Sequence, residues 1–160
     1  MTKINHDFCP IITEDRLAVA IEYVATSSLA LVQTILQREL TIDTICFFAH
    51  TSEEYDYLLS AVRNRGAESK FSHGSTTYVK SDFIVAGQHI RIFGVRQPDQ
   101  TRPWVGYGDY PITGAEYSTY KAKNNPYIHE ITSGRGQYLL QFEHPDFDVL
   151  GFAFREEEHY

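Results

Sequence analysis

Ile42-Asp43-Thr44-Ile45-Cys46-Phe47-Phe48-Ala49-His50-Thr51-Ser52-Glu53-Glu54-Tyr55 is the stretch whose reading decides the fold. In its first half Ile45, Phe47 and Ala49 alternate with Cys46 and Phe48, so each set faces one side of a strand. Both sets are apolar. Such a strand is central, covered on both faces or lining a closed cavity. In the second half Thr51 is placed to accept from the free N–H three residues on, and Glu54 to reach back, which predicts a capping box. Tyr55, Leu58, Leu59 and Val62 then form a helical stripe. Arg63 and Arg65 suit the negative end of the helix dipole, and Gly66 permits the stop.

Upstream, Leu17, Ile21, Val24, Leu31 and Ile35 recur at helical steps and predict an apolar stripe from Thr13 to about Arg38. Thr13 or Asp15 caps its start, with Glu14 and Asp15 at the positive end of the dipole. The stretch reads as one long helix or two short ones, with Thr26-Ser27-Ser28 the place for a break or kink, because hydroxyl side chains compete for backbone partners. Downstream the chain reads as strands at Thr76–Lys80, Phe83–Val85, His89–Val95, Tyr117–Ala122, Tyr127–Thr132, Gln137–Phe142 and Val149–Phe154. Ala86-Gly87-Gln88 is a turn. Arg96 to Asp109, with Pro98, Pro103, Gly106 and Gly108, reads as an irregular excursion of a length that is more often functional than connecting. After Asp109 no strong helical stripe is visible.

This order predicts an α+β fold: an N-terminal helical segment, a strand-helix unit, then a curved mixed or antiparallel sheet. Residues 1–160 read as a single domain with irregular ends at 1–12 and 155–160. A doubly wound nucleotide fold would need a helix between successive parallel strands. Ser133-Gly134-Arg135-Gly136 lacks the dinucleotide spacing, and no Gly-Lys-Ser/Thr motif occurs.

The 42% hydrophobic content is enough for a core at this length without disulfides or metals. A formal charge of −7 weighs against nonspecific binding to nucleic acid. Apolar stretches read as broken by charge before membrane-spanning length, and no signal peptide is visible, so no membrane partner is expected. Cys9 and Cys46 are too few and too far apart for a disulfide framework or thiolate cluster, which suits a reducing, cytoplasmic setting.

The unit at Ile42–Gly66, followed by several strands and Phe142-Glu143-His144-Pro145-Asp146-Phe147-Asp148-Val149-Leu150-Gly151-Phe152, resembles a vicinal-oxygen-chelate-like (glyoxalase/dioxygenase-like) domain. The resemblance covers Ile42–Phe154. It implies curved sheets built from repeated strand-helix-strand units, with a divalent metal held in many members by His, Gln or Glu on the inner face. Pro145-Asp146 matches the family's Pro-Asp turn feeding a late strand. Two places depart from the pattern. Asp43-Thr44-Ile45 stands where an early metal-binding His is common, and Gly151 and Phe152 stand where an inward Glu is expected. The metal chemistry is therefore not carried over with the fold.

The segment Arg96–Tyr110 holds the functional candidates. Arg96 and Arg102 can clamp a carboxylate or phosphate through paired donors. Trp104 and Tyr107 offer apolar contact with a polar handle. The competing structural account is an ion pair, Arg96 with Asp99 or Arg102 with Asp109, fixing the loop. The leading expectation is a small-molecule-binding domain for an anionic or aromatic ligand, with this loop covering the site. If a divalent metal assists, His50 at the end of the buried strand and Glu143 are the first candidate ligands. Two other readings stand beside it: a noncatalytic homodimer paired through Tyr-rich strands, and a metal-dependent lyase or dioxygenase-like enzyme needing three convergent ligands.

Overall fold

A computed structural model describes residues 6–156; the sequence expectations for 1–5 and 157–160 lie outside it. Thr13 caps α1 (Glu14–Leu36), accepting from Arg16 N at 3.2 Å. The break expected at Thr26-Ser27-Ser28 does not occur. Thr26 Oγ1 donates to the carbonyls of Glu22 (2.8 Å) and Tyr23 (3.3 Å), so the competing hydroxyl is satisfied without leaving the helix. By length and composition α1 could also cross a membrane, contrary to the expectation that charge interrupts every apolar stretch first. In this fold its stripe Leu17, Val24, Leu31 and Ile35 is buried in the core.

β1 (Thr44–Phe48) is buried along its whole length. As the alternation requires, Ile45 and Phe47 join the large core while Cys46 and Phe48 join a separate cluster on the opposite face. α2 (Ser52–Arg63) starts at Thr51, whose hydroxyl accepts from Glu54 N at 3.2 Å. Glu54 does not close the expected box on Thr51. Its buried carboxylate accepts from His50 N (2.9 Å) and Ile11 N (2.8 Å), tying the N-terminal segment to the start of α2.

The chain continues through β2 (Thr76–Val85), β3 (Gln88–Arg96), β4 (Gly106–Ile112), α3 (Gly114–Ala122), β5 (Ile128–Thr132), β6 (Tyr138–Phe142) and β7 (Val149–Arg155). β2 merges two expected strands, with a register shift between Lys80 and Phe83 absorbing the interruption. Two expectations are overturned. Tyr117–Ala122 is helical, because Thr113 and Glu116 form the full capping box: Thr113 Oγ1 accepts from Glu116 N (3.1 Å) and Glu116 Oε1 from Thr113 N (3.1 Å). Gly106–Asp109 is strand, and the irregular segment shrinks to 97–105. Both glycines of that strand face α1, where side chains would not fit: a Cβ on Gly106 would lie 2.5 Å from the Cys46 carbonyl oxygen, and one on Gly108 would collide with Ile42.

The seven strands form one mixed sheet in the order β2-β3-β1-β4-β7-β6-β5. β1 pairs parallel with β3, β4 pairs parallel with β7, and β1 and β4 meet antiparallel at the centre. Each half is thus a strand, a helix, and returning strands that end beside the first. The Glu68–Val79 bridge on β2 occupies the place that β5 takes on β6. Helices cover one face. On the other the sheet curls until segments from its two edges touch. A Cβ on Gly134 would lie 3.9 Å from the His73 ring, and Arg135 Cζ stands 4.7 Å from the Phe71 ring centroid.

Candidate ligand-binding site

Strand alternation decides what faces the curled side. β1 presents Thr44, Cys46 and Phe48; β3 presents Ile92 and Arg96; β4 presents Tyr107 and Asp109; β7 presents Phe152. All of these but Cys46 and Phe48, with Thr76 and Tyr78 of β2 and Ile131 and Leu139 of β5 and β6, surround a cavity of about 200 Å³, roofed by Phe71, His73 and the 133–137 turn. That volume lies below the roughly 300–1,000 Å³ usual for drug-sized ligands and suits only a small molecule.

Arg96 supplies the strongest polar feature. Its Nε is buried without a hydrogen-bond acceptor, and its guanidinium lies 6.0 Å from the Phe48 ring centroid. Arg102 stands over the same ring at 5.1 Å. Arg102 is held by the loop itself, donating to the Gln97 carbonyl at 2.8 Å and lying 3.8 Å from Asp99. Burial and the neighbouring Arg96 charge both push the Arg102 pKa down. Arg102 thus pairs with Asp99, while Arg96 makes no ion pair among the described residues.

At the middle of the floor the Tyr78 and Tyr107 hydroxyls hydrogen-bond each other, and burial holds both well above the usual phenol range. The Cys46 thiol beside them is pushed up to about 12 by burial. The Asp109 carbonyl accepts from Asp43 N at 3.1 Å, while its side-chain carboxyl makes no hydrogen bond to a described residue. Burial, and after it the nearby Asp43 carboxyl, raise its pKa well above the ordinary carboxylate value. In the roof, His73 is shifted down by burial and by the charges of Arg96 and Arg135.

Of the residues singled out from sequence, Arg96 and Tyr107 line the cavity, Tyr107 from a central strand rather than a covering loop. Arg102 and Trp104 do not line it; they pack on Phe48 from the 97–105 loop, Trp104 at 6.1 Å between ring centroids. The proposed Arg102–Asp109 ion pair is replaced by Arg102–Asp99. His50 and Glu143 are not brought together. The His50 ring is engaged by the Arg102 carbonyl (3.1 Å) and Glu54 (3.4 Å), fixing the loop to α2. Glu143 follows β6, three strands from β1 in the sheet, roughly 14 Å at the usual strand spacing. Sequence reasoning gave no place in a common cavity to Tyr78, His73, Asp109 or Arg135. The alternation of Thr76 and Tyr78 in an expected strand was the one local signal for any of them.

Among the described residues no three His, Cys, Asp or Glu side chains converge. Asp109 is the floor's lone carboxyl, while Thr44 and Phe152 hold the inward positions facing it. This donor set, with a guanidinium on the same wall, does not fit a divalent cation, which wants several oxygen or imidazole ligands at once.

No protein-family model matches the sequence, and no curated protein matches it. The chain is similar to two solved structures. A structural-genomics structure, protein EC4020, superposes with a TM-score of 0.60 at 16% identity, covering 99% of this chain and 96% of its own. A complex of a Streptomyces coelicolor methylmalonyl-CoA epimerase variant with 2-nitronate-propionyl-CoA gives a TM-score of 0.39 at 13% identity, covering 72% of this chain and 99% of its own. These identities speak to fold alone.

Proposed function

We propose that this domain binds a small organic anion in the cavity, with Arg96 holding the anionic group. The observation that carries the reading is the buried Arg96 Nε, left without an acceptor on the cavity wall. A buried donor left unpaired costs about 1–3 kcal/mol, a cost that a ligand oxyanion would relieve. The Phe48 ring flanks the Arg96 guanidinium, and the Arg102 charge nearby, itself paired with Asp99, adds to the positive potential that an anion would meet. Ile92, Ile131, Leu139 and Phe152 would enclose the apolar body of the ligand.

Calorimetric titration with butanoate, pentanoate and benzoate tests this. Arg96→Gln should weaken binding roughly ten- to hundredfold, the worth of a charge-assisted hydrogen bond. Arg102→Gln, outside the cavity, should change it less. Equal affinity in folded Arg96→Gln protein would reject the assignment.

A further inference from the structure

Arg96 and Asp109 stand at opposite ends of the cavity floor. Their partners on β1 are Phe48 and Thr44, four residues apart by 48 − 44, which is roughly 13 Å of strand. Between them the polar groups are already engaged. The tyrosine hydroxyls bond each other, and Thr44 Oγ1 donates to Asp43 Oδ1 at 3.0 Å. At the end away from the guanidinium the Asp109 carboxyl, like Arg96 Nε at the other, has no hydrogen-bond partner among the described residues. We infer that the ligand is a small monocarboxylate carrying a neutral carbonyl or hydroxyl oxygen a few bonds from its carboxylate. Arg96 takes the carboxylate, and the carboxylic acid of Asp109 donates to the neutral oxygen. This rests on the anion-binding reading above and adds to it the second recognition point.

Burial and the adjacent Asp43 favour the protonated, donating form of Asp109. Once ionised, the group can no longer donate and repels an anion, so binding should weaken as pH rises through its raised pKa. The titratable and charged groups around it are Asp43 just before β1, Cys46 of β1, Tyr78 of β2, Tyr107 and Tyr110 of β4, and His73 and Arg135 in the roof. Burial pushes the Cys46 thiol up to about 12 and the tyrosines well above 10. His73 titrates below the ordinary imidazole value and would strengthen anion binding only on the acid side.

The test compares 4-oxopentanoate, pentanoate and 5-aminopentanoate on the intact chain across pH. The oxo acid should bind roughly five- to tenfold tighter than pentanoate, the worth of one added neutral hydrogen bond. That preference should fall away as pH rises. Asp109→Asn, which still donates, should keep the preference and lose its pH dependence; Asp109→Leu should lose the preference. Equal binding of the oxo acid and pentanoate to wild type, with Arg96→Gln still weakening both, overturns this inference and leaves the anion site standing. Tighter binding of the amino acid than of the oxo acid also overturns it, since that requires ionised Asp109. Absence of binding by every carboxylate removes both proposals.

Discussion

Replacing Gly106 by alanine tests why the central seam of the sheet has the sequence it has. The added Cβ would lie 2.5 Å from the Cys46 carbonyl oxygen and 3.2 and 3.4 Å from the two Val24 methyls. Ordinary carbon–oxygen contacts start near 3.3 Å, so β4 must retreat by about 0.8 Å. Neither neighbour can give way easily. The oxygen is main chain, fixed by strand pairing across β1 and β4, and Val24 is fully buried on α1. Overpacking of this kind costs about 1–3 kcal/mol, and the fixed surroundings place Gly106→Ala near 2–3 kcal/mol. At this chain length that lowers Tm by about 4–12 °C. Gly74→Ala is the matched control: its Cβ meets nothing within 4 Å and its φ is not positive. It should be neutral or stabilising by up to about 1 kcal/mol. Urea and thermal unfolding of both variants measure the contrast. A Gly106→Ala protein within about 0.5 kcal/mol of wild type would refute the close-approach argument. Because β4 also carries Tyr107 and Asp109, a displaced strand should weaken carboxylate binding too.

Other outcomes follow from the caps. Burial alone would raise the Glu54 pKa, but hydrogen bonds from the His50 ring and from the Ile11 and His50 amides outweigh it and leave the carboxyl below its ordinary value. Its ionised form therefore stabilises the fold above the unfolded-state pKa, and that contribution is lost as pH falls through the depressed folded value. Urea midpoints measured between pH 6 and pH 3 should show a smaller loss for Glu54→Gln than for wild type; parallel curves would contradict the assignment. Thr113→Ala removes the hydroxyl that starts α3 and should cost about 1 kcal/mol in denaturant unfolding, whereas Thr113→Ser should restore most of it.

What was legible in the sequence was local. The period of α1, the alternation of β1, the Thr51 cap and the Ala86-Gly87 turn each depend on residues a few positions apart, and the structure contains all of them. α3 was legible in principle. Thr113-Gly114-Ala115-Glu116 has the same spacing as Thr51-Ser52-Glu53-Glu54, but only Tyr117 and Tyr120 are buried on its short inward face, so the stripe that usually confirms a helix is faint. The strand at Gly106–Asp109 was not legible. Glycine lowers strand propensity when read alone, and only the approach of Ile42, Val24 and Cys46 from elsewhere in the chain makes its lack of a side chain a requirement.

Sequence by itself determined the α+β class, the buried central strand and the candidacy of Arg96 and Tyr107, because side-chain type and spacing act through the nearest turn or pleat. Tertiary structure alone decided that these two residues face a common cavity with Tyr78, His73 and Asp109, and that Arg102, Trp104, His50 and Glu143 stand outside it. The physical reason is sheet curl. It brings the Phe71–His73 loop against the Gly134–Arg135 turn, and a contact between opposite edges of a seven-stranded sheet leaves no periodic trace in either segment.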